Sequence, residues 1–268
     1  MNPRLSAESL SLAYGTRAVV HGVDLVVPEQ AFTAIVGPNA CGKSTLLRAL
    51  ARLMKPVAGS VLLDGRDIHC LPTVQVARVL GLLPQSQVVP EGLRVRDLVG
   101  RGRFPHQSFL KRWSDADEQA VRRAMHLAGV TSLAYRSVDE LSGGQRQRAW
   151  LATVLAQEPA VVLLDEPTTY LDLPHQLDVL DLCIDMKRQG RTVVVVLHDL
   201  NLAARYATHM VAMRDGRIIA SGTPADVITP EVIDETFDMA CRIIDDPETG
   251  TPMVVPARRH RIVSAHVV

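Results

Sequence analysis

Cysteine, excess charge and long apolar runs are all scarce in this sequence. Its 268 residues include four cysteines, Cys41, Cys70, Cys183 and Cys241, and no C-x-x-C motif. Thiols this sparse indicate a reducing compartment. Lysine plus arginine and aspartate plus glutamate number 29 each, so the formal net charge is zero. Because a nucleic-acid-binding protein should carry a basic excess or a basic face, this balance argues against one.

Two kinds of hydrophobic segment are also missing. The first residues, Met-Asn-Pro-Arg-Leu-Ser-Ala-Glu, contain no apolar stretch of the kind that a signal peptide needs. Apolar runs such as residues 193–197 are far shorter than the about 20 residues that cross a membrane as a helix. We therefore expect any role at a membrane to depend on partner proteins.

Apolar residues in general are plentiful, at 47% of the chain. This supply is enough for a sizeable core. A chain of this length predicts either one large α/β domain or one such domain with an inserted lobe.

The most informative stretch, residues 37–45, reads Gly-Pro-Asn-Ala-Cys-Gly-Lys-Ser-Thr and fits the phosphate-loop pattern G-x-x-x-x-G-K-[ST]. The apolar run at 32–36 predicts a buried strand before it, and the leucines at 46, 47, 50 and 53 predict a helix over 44–54. Backbone N–H groups and the helix start would then hold phosphates. We expect Lys43 to reach the β- and γ-phosphates and the Ser44 hydroxyl to bind Mg²⁺.

Two residues within the loop are unusual. Ala40 stands where a glycine would be unsurprising, and if φ is positive there, alanine costs about 1 kcal/mol. Cys41 lies at a helix start, which could lower the pKa of its thiol. The alternative is that Cys41 is simply a small residue that fits.

Polar residues follow three predicted core strands. Gln85 follows residues 79–84, the pair Asp165 and Glu166 follows 160–164, and His198 follows 192–197. Ligands of open α/β sheets bind at the carboxyl ends of such strands. Asp165 suits a contact to Mg²⁺, and Glu166 suits a general base for the water that attacks the γ-phosphate. Gln85 could contact the metal or the water, and His198 could bind the γ-phosphate.

The segment 86–159 changes character, because it contains helical patterns and no strand-like runs. A short helix is predicted at 96–101 and a longer one at 115–129, with Ser114 as its N-cap. Residues 102–113, which include Arg103, Phe104 and Trp113, are interpreted as a surface loop, either with a docking purpose or merely exposed.

A second glycine-rich helix start lies in that segment. Leu-Ser-Gly-Gly-Gln at 141–145 precedes a predicted helix over 146–157, so a second helix terminus could bind phosphate. One chain cannot easily use both starts on one nucleotide. The second start is therefore predicted to serve the nucleotide of a partner subunit.

The remaining patterns predict strands at 5–14 and 19–27, a hairpin at 209–213 and 217–220, and short helices at 224–228 and 230–238. A small terminal hairpin is predicted within 241–256, followed by a basic tail from 257. Tyr14, at a strand end before a turn, could stack on adenine. A tyrosine with no such role is the alternative.

Taken in order, the phosphate loop, Gln85, the 141–145 motif, the acidic strand end, Asp172 and His198 resemble the ATP-binding subunit of an ABC transporter. The resemblance implies an α/β fold: a phosphate-loop NTPase core, with a RecA-like sheet and flanking helices, plus an antiparallel β subdomain and an inserted helical subdomain. The core would span 1–85 and 160–240, the helical subdomain 86–159, and a C-terminal extension 241–268. Two copies would close head to tail around two ATP molecules.

The resemblance also assigns individual residues. ATP would be bound by Tyr14, Gly37, Pro38, Asn39, Ala40, Cys41, Gly42, Lys43, Ser44, Thr45, Ser142, Gly143, Gly144, Gln145 and Asp172. Catalysis would involve Glu166, His198, Gln85 and Lys43, and the Mg²⁺ ligands would be Ser44, Gln85 and Asp165.

A finer resemblance is to iron–siderophore importers. It is carried by residues 101–107, 146–150, 170–176 and 197–201, and the ending at 243–247 and 250–252 looks most like the ferric-enterobactin type. The resemblance implies that residues 86–113 dock on a membrane permease at the cytoplasmic side of the inner membrane. A siderophore-binding protein would be an indirect partner, and related importers carry haem or vitamin B12.

Two other functions stay open on the residues. A soluble ABC ATPase, such as a translation factor or repair protein, usually has paired cassettes or a long coiled insertion, and this chain has neither. A non-catalytic nucleotide-binding regulator is disfavoured by the intact set of Lys43, Asp165, Glu166 and His198. The cargo itself cannot be derived, because a cytoplasmic ATPase does not touch the transported molecule.

Overall fold

The chain alternates strands and helices in the computed structural model, which describes residues 3–85, 91–107, 113–169 and 171–257. The strands are β1 (Leu5–Tyr14), β2 (Arg17–Val27), β3 (Phe32–Val36), β4 (Ala58–Leu63), β5 (Arg66–Asp67), β6 (Leu80–Leu83), β7 (Val161–Asp165), β8 (Thr192–Val196), β9 (His209–Arg214), β10 (Arg217–Gly222), β11 (Cys241–Asp245) and β12 (Pro252–Pro256). The α-helices are α1 (Lys43–Leu50), α2 (Thr73–Val79), α3 (Val95–Gly100), α4 (Asp115–Leu127), α5 (Gly143–Ala156), α6 (Leu173–Arg188), α7 (Leu200–Tyr206), α8 (Pro224–Val227) and α9 (Pro230–Phe237).

A large sheet carries the core of the molecule. Its order within the described residues is β10-β9-β3-β8-β7-β6, and the strands from β9 to β6 are parallel. Every residue of β3, β7 and β8 is buried, as expected for unbroken apolar strands covered on both faces. The carboxyl ends of β3, β6, β7 and β8 therefore meet at one edge, which confirms the predicted core strands.

A smaller antiparallel sheet, in the order β2-β1-β4-β5, packs beside the large one. Helix α1 lies between the two sheets, because its leucines share an apolar cluster with Leu5 and Val20 of the small sheet and Ile35 of the large one. The helix ends at Leu50, four residues before the predicted end. The predicted inclusion of Leu53 was wrong, since Arg52 turns to φ 62° and Leu53 is 67% exposed.

Helices α3, α4 and α5 pack on one another and on the other face of the large sheet, as one continuous apolar cluster. Helix α5 begins at Gly143, three residues before the predicted start, because Ser142 supplies its N-cap. At the other end, the side-chain amide of Gln157 donates to the backbone carbonyls of Ala77 and Leu80. The backbone carbonyl of Gln157 forms a hydrogen bond with His106 Nε2. One residue thus joins the end of α5 to the start of β6.

The prediction of a surface loop from residue 102 was wrong. Arg101–His106 forms a 3₁₀ helix, and Gly102 lies so close to α5 that a Cβ there would sit 2.2 Å from the Thr153 carbonyl oxygen. Arg103 is 6% exposed and bonds Asp117 at 2.9 Å. Because a buried guanidinium needs such partners, this segment is fixed in place. Residues 108–112 of the predicted loop lie outside the described residues.

The chain ends in the predicted hairpin, β11 and β12, whose base closes with a bond from the Ala257 amide to the Ala240 carbonyl. The hairpin packs against α7. The predicted tail from residue 258 lies outside the described residues. Within the described residues, no helix is long and apolar enough to cross a lipid bilayer.

Candidate nucleotide-binding site

The loop between β3 and α1 has the backbone that a phosphate loop requires. Gly37 has φ 153°, and a Cβ there would lie 2.2 Å from the Met213 carbonyl oxygen, so only glycine fits. Gly42 has φ 105° and is the N-cap of α1, with no side-chain cap among the described residues. The first N–H groups of α1 are therefore free to bind an anion. Ala40 has φ 61°, so it adopts the left-handed conformation, which is unfavourable for alanine.

Lys43 lies across the mouth of this loop. Its Nζ donates to the carbonyls of Gly37 and Pro38, each at 2.8 Å, and the residue is only 5% exposed. An ammonium in this place puts a positive charge where the loop amides converge. Cys41 beside it is buried, and burial raises the pKa of its thiol, contrary to the lowered pKa considered above. Its role is that of a small residue that fits.

A cleft of ≈ 460 Å³ opens beside the loop. It is lined by Tyr14, Arg17, Val19, Asn39, Ala40, Gly42, Lys43, Ser44, Thr45 and Glu166. Tyr14 is 49% exposed at the rim, and its hydroxyl accepts from Arg48 at 3.2 Å. A hydrogen bond with Thr45, assisted by Arg48, lowers the pKa of Tyr14. The ring is thus fixed at the rim with a face available for stacking.

Two of the lining residues, Arg17 and Val19, were not predicted. They lie on β2, far from the loop in sequence, and the Val19 carbonyl comes within 3.2 Å of a Cβ built on Gly42. No sequence pattern indicates which strand passes the loop.

The end of β7 brings a carboxylate to the helix start. Ser44 Oγ donates to Asp165 Oδ1 at 2.7 Å, and Asp165 is 2% exposed. Burial raises the pKa of Asp165, and the hydrogen bond from Ser44 opposes that shift. A hydroxyl and a carboxylate are the oxygen ligands that Mg²⁺ prefers, and Mg²⁺ keeps waters for its other positions. This donor pair fits the predicted metal.

Glu166 is the point at which three elements converge. Its Oε2 accepts from Gln85 Nε2 at 2.7 Å and from Thr169 Oγ1 at 3.1 Å, and its Oε1 lies 2.7 Å from His198 Nε2. The backbone of Glu166 has φ 53°, an uncommon value for a residue with a side chain. Backbone strain of this kind occurs at functional sites. The structure thus joins Gln85, Glu166 and His198 at one sheet edge, as the sequence predicted.

Thr169 was missed as a member of this group. It follows Glu166 by three residues, in the turn after β7. The available signal was its place beside the acidic pair, because threonine hydroxyls bond nearby groups in turns.

The second glycine-rich start is built differently. Ser142 Oγ accepts a hydrogen bond from the backbone N–H of Gln145 at 3.3 Å. In return, the side-chain oxygen Oε1 of Gln145 accepts from the backbone N–H of Ser142 at 3.2 Å, which completes a capping box. A Cβ on Gly143 would meet no atom within 4 Å, whereas one on Gly144 would lie 3.3 Å from His175 Cδ2. His175 Nε2 in turn lies 3.8 Å from Asp172 Oδ1.

None of these residues lines the cleft beside the phosphate loop. The five residues of that set lie around the start of α5, where Ser142, Gly143 and Asp172 are exposed and Gly144 and Gln145 are half-buried. None of the five is among the residues that line the cleft. A phosphate loop, an acidic pair after a parallel strand and a glutamine and histidine at the same edge define a nucleotide-binding protein of the phosphate-loop class.

Comparison with known proteins narrows this class. A family model described as "ABC transporter" matches residues 20–169. Over 97% of its length the chain is 52% identical to YusV of Bacillus subtilis (strain 168), an ATP-binding protein assigned to a siderophore transport system, and the match covers 94% of YusV. Over 96% of its length it is 52% identical to the ferric enterobactin transport ATP-binding protein FepC of Escherichia coli (strain K12), with 95% of FepC covered.

A solved structure agrees with the sequence matches. An ABC transporter assigned to the metal-chelate type, in an inward-facing conformation, superimposes with a TM-score of 0.82 at 29% identity, covering 96% of this chain and 98% of that one. The chain therefore belongs to the ABC transporter family. The predicted family and fold class are confirmed.

Proposed function

We propose that this chain is the ATP-hydrolysing subunit of an importer that takes up an iron(III)–siderophore complex through separate membrane permease subunits. The observation that carries the hydrolytic part is the Glu166 carboxylate, held between Gln85, Thr169 and His198 beside the phosphate-loop cleft. A carboxylate with hydrogen-bond partners on both oxygens at that edge suits the role of accepting a proton from an attacking water.

Each residue of the cleft then has a part in the reaction. Tyr14 stacks on the adenine, and Lys43 with the first amides of α1 binds the β- and γ-phosphates. Glu166 takes the proton of the water that attacks the γ-phosphate, and His198 bridges Glu166 to that phosphate. Mg²⁺, when bound, neutralises phosphate charge, and Ser44, Asp165 and Gln85 would hold it.

The reaction site is completed by a second copy of the chain. The start of α5 lies outside the cleft, and Gly143 has open space in front of it. In a head-to-tail dimer, Ser142, Gly143 and Gly144 approach the γ-phosphate of the partner's ATP, with Gln145 and Asp172 beside them. Two ATP molecules are then enclosed at the interface.

An exposed apolar surface suits the permease. A cavity of ≈ 580 Å³ is lined by Leu93, Arg94, Arg96, Asp97, Gly100, Arg101, Phe104, Gln107, Trp113 and Tyr135. Three of its aromatic residues are well exposed, with Phe104 at 63%, Trp113 at 46% and Tyr135 at 70%. Exposed aromatic clusters mark protein interaction sites. Except for Tyr135, the lining residues fall within the 86–113 segment, of which residues 86–90 and 108–112 lie outside the described residues. Docking of this surface on a permease would put the chain at the cytoplasmic side of the membrane.

The cargo assignment follows the two named relatives, which are ATP-binding proteins of siderophore and ferric enterobactin transport. A siderophore-binding protein would deliver the chelate to the permease, and haem or vitamin B12 are the alternative cargoes. The division into a core (1–85 and 160–240), a helical subdomain (86–159) and an extension (241–268) remains our proposal for the domain boundaries.

The test is uptake of iron-labelled siderophores, offered one at a time to cells that lack this protein. The cells receive either the intact chain or its Glu166→Gln variant. Uptake of one chelate that returns only with the intact chain supports both the importer and the cargo. If no iron chelate depends on the chain, the iron assignment is wrong, and labelled haem and vitamin B12 are the next substrates to measure.

A further inference from the structure

The C-terminal hairpin lies against α7, the short helix that follows His198 in the chain. Two polar residues of α7, Asn201 and Arg205, both form hydrogen bonds with it. Residues four apart lie on the same face of a helix. One face of α7 is therefore turned toward the hairpin, and the reaction described above uses neither residue.

Asn201 binds the main chain of β12. Its Oδ1 accepts from the Val254 amide at 2.8 Å, and its Nδ2 donates to the Val254 carbonyl at 3.3 Å. Val254 is 5% exposed and belongs to the same apolar cluster as Ala203 and Ala204 of α7. The paired bonds repeat the reciprocal pattern by which one antiparallel strand binds another. The side chain of Asn201 thus fixes the position of β12 along α7.

Arg205 provides the second attachment. Its Nε and Nη2 donate to Asp246 Oδ2 at 3.0 and 2.6 Å, and the Asp246 side chain is 4% exposed. The other oxygen of Asp246 accepts from the amides of Glu248 and Thr249 at 2.9 and 3.3 Å. The hydrogen bond from Arg205 lowers the pKa of Asp246, so this carboxylate stays charged. One side chain both closes the hairpin turn and binds α7.

Helix α7 needs such attachments. It has seven residues, and helices this short are not stable on their own. Its start is capped by Asp199 Oδ1, which accepts from the amides of Asn201 and Leu202 at 2.8 and 2.9 Å. Asp199 directly follows His198, so the backbone of His198 is held by α7 on one side and by the end of β8 on the other. At its other end, Tyr206 donates to Asp181 of α6 at 3.0 Å.

We propose that the hairpin braces α7 and so positions His198 against Glu166. We call β11, β12 and their turn, residues 241–256, the C-terminal brace. Asp246 of the brace and its α7 partners Asn201 and Arg205 are positioning residues, because they act through His198 and do not line the cleft. The inference rests on the hydrolytic function proposed above and adds a part in it for a segment remote from the nucleotide.

Arg205→Gln is the test variant, since it removes the attachment to α7 and leaves the turn bonds of Asp246 in place. We expect kcat for ATP to fall at least about tenfold, given that a displacement of about 1 Å can cost roughly a hundredfold. KM for ATP should not change, because the phosphate loop and Tyr14 are untouched. Arg205→Lys keeps a positive charge near Asp246 and should recover most of kcat.

The matched control is Arg188→Gln. Arg188 forms an exposed ion pair with Asp185 on α6 at 3.3 Å, and such surface pairs contribute little. The control should keep the kcat of the intact chain. If both variants lose kcat equally, or if Arg205→Lys recovers nothing, the brace is not what positions His198.

A second readout does not depend on activity. Hydrogen–deuterium exchange should speed up at residues 197–206 in Arg205→Gln, with residues 37–50 and the control unchanged. If the intact chain hydrolyses no ATP with its permease present, the hydrolytic function is refuted. Faster exchange at residues 197–206 in Arg205→Gln would then still show that the brace holds α7 in place. An active intact chain whose Arg205→Gln variant keeps both its kcat and its slow exchange refutes the brace alone.

Discussion

The two glycine-rich helix starts of this molecule, those of α1 and α5, differ in how their first backbone N–H groups are capped. At α1 the N-cap is Gly42, no side chain of the described residues caps the helix, and Lys43 folds back on the loop carbonyls. At α5 the N-cap is Ser142, and Gln145 completes a capping box. The first start has free amides and an acidic residue, Asp165, beside it. The second is closed by its own side chains and faces outward.

This difference indicates which part of a nucleotide site each helix start can supply. An open helix terminus beside a carboxylate can hold phosphate and metal within one chain. The start of α5 is capped by its own side chains and lines no cleft, and its Gly144 lies against His175. This arrangement favours the proposed role, in which Ser142 and Gly143 contact a ligand that a second copy of the chain presents.

Loss of Glu166, the proposed general base, should have the largest effect on ATP turnover. Glu166→Gln keeps the size of the side chain but cannot take a proton, so we expect turnover to fall by roughly 10²- to 10⁴-fold. ATP binding should persist, and the variant should accumulate as an ATP-bound dimer on size-exclusion chromatography. Glu29→Gln, an exposed glutamate in the turn before β3, is the control. Turnover near that of the intact chain would remove Glu166 from this role.

Mixing two inactive variants tests whether the starts act across chains. Lys43→Ala disables the first start, and Gly143→Ala places a methyl group in the open space before the second. Each variant alone should lose hydrolysis. A mixed dimer contains one pairing of an intact phosphate loop with an intact α5 start, so the mixture should regain activity. If each chain used its own α5 start, mixing would recover nothing.

Replacing the buried Asp165 should change the free energy of unfolding by an amount that depends on pH. Burial raises the pKa of Asp165 above its ordinary value of 3.8, so the folded chain holds this proton more tightly than the unfolded chain does. The free energy of unfolding contributed by Asp165 therefore falls as pH rises from about 3.8 through the raised value. Asp165→Asn should remove that fall and unfold less readily than the intact chain at pH 7.

The measurement is denaturant unfolding of the intact chain and of Asp165→Asn from pH 4 upward, without nucleotide or Mg²⁺. The gap between the two unfolding free energies should widen with pH. A gap that stays constant would mean that Asp165 pays no such penalty in the folded chain. Asp226, an exposed carboxylate whose pKa is lowered by Thr223, should show the opposite slope when replaced by asparagine.

The smallest effect concerns Ala40 in the first start. Its φ of 61° is unfavourable for alanine, so Ala40→Gly should raise the free energy of unfolding by about 0.5–1 kcal/mol. Ala116→Gly, at an exposed position in α4, should instead lower it by up to about 1 kcal/mol. Opposite signs in thermal or urea unfolding would confirm the backbone argument, and equal signs would refute it.

Much of the fold was predictable because the chemistry is local. Unbroken apolar runs marked β3, β7 and β8. The phosphate loop after β3 and the polar residues after β6, β7 and β8 marked the ligand edge. The end of α1 was predicted wrongly, because Leu53 continues the leucine stripe although the backbone has already turned at Arg52. The spacing of apolar residues does not show at which residue the backbone stops being helical.

Apart from Thr169, the missed features depend on contacts between segments that are distant in the sequence. Arg103 looked like a loop residue because its partners, Asp117 and Glu158, lie far along the chain. Arg17 enters the cleft only because β2 passes the phosphate loop. Asn201 and Arg205 carried no signal, since their partners belong to the terminal hairpin. Sequence spacing predicts what a residue can do and leaves open what lies opposite it.

The attachment of Gln157 has a mechanical consequence. This residue ends α5 and bonds Ala77 and Leu80, at the root of the strand that leads to Gln85. With that end fixed, a tilt of α5, which is about 21 Å long, would pivot at Gln157. A rotation of about 10° would carry Ser142 through about 4 Å while hardly moving the base of the helix. His106 of the Arg101–His106 segment bonds the Gln157 carbonyl. In the proposed complex, a small tilt that a docked permease imposes on this segment would therefore be enlarged at Ser142, beside the ATP of the partner.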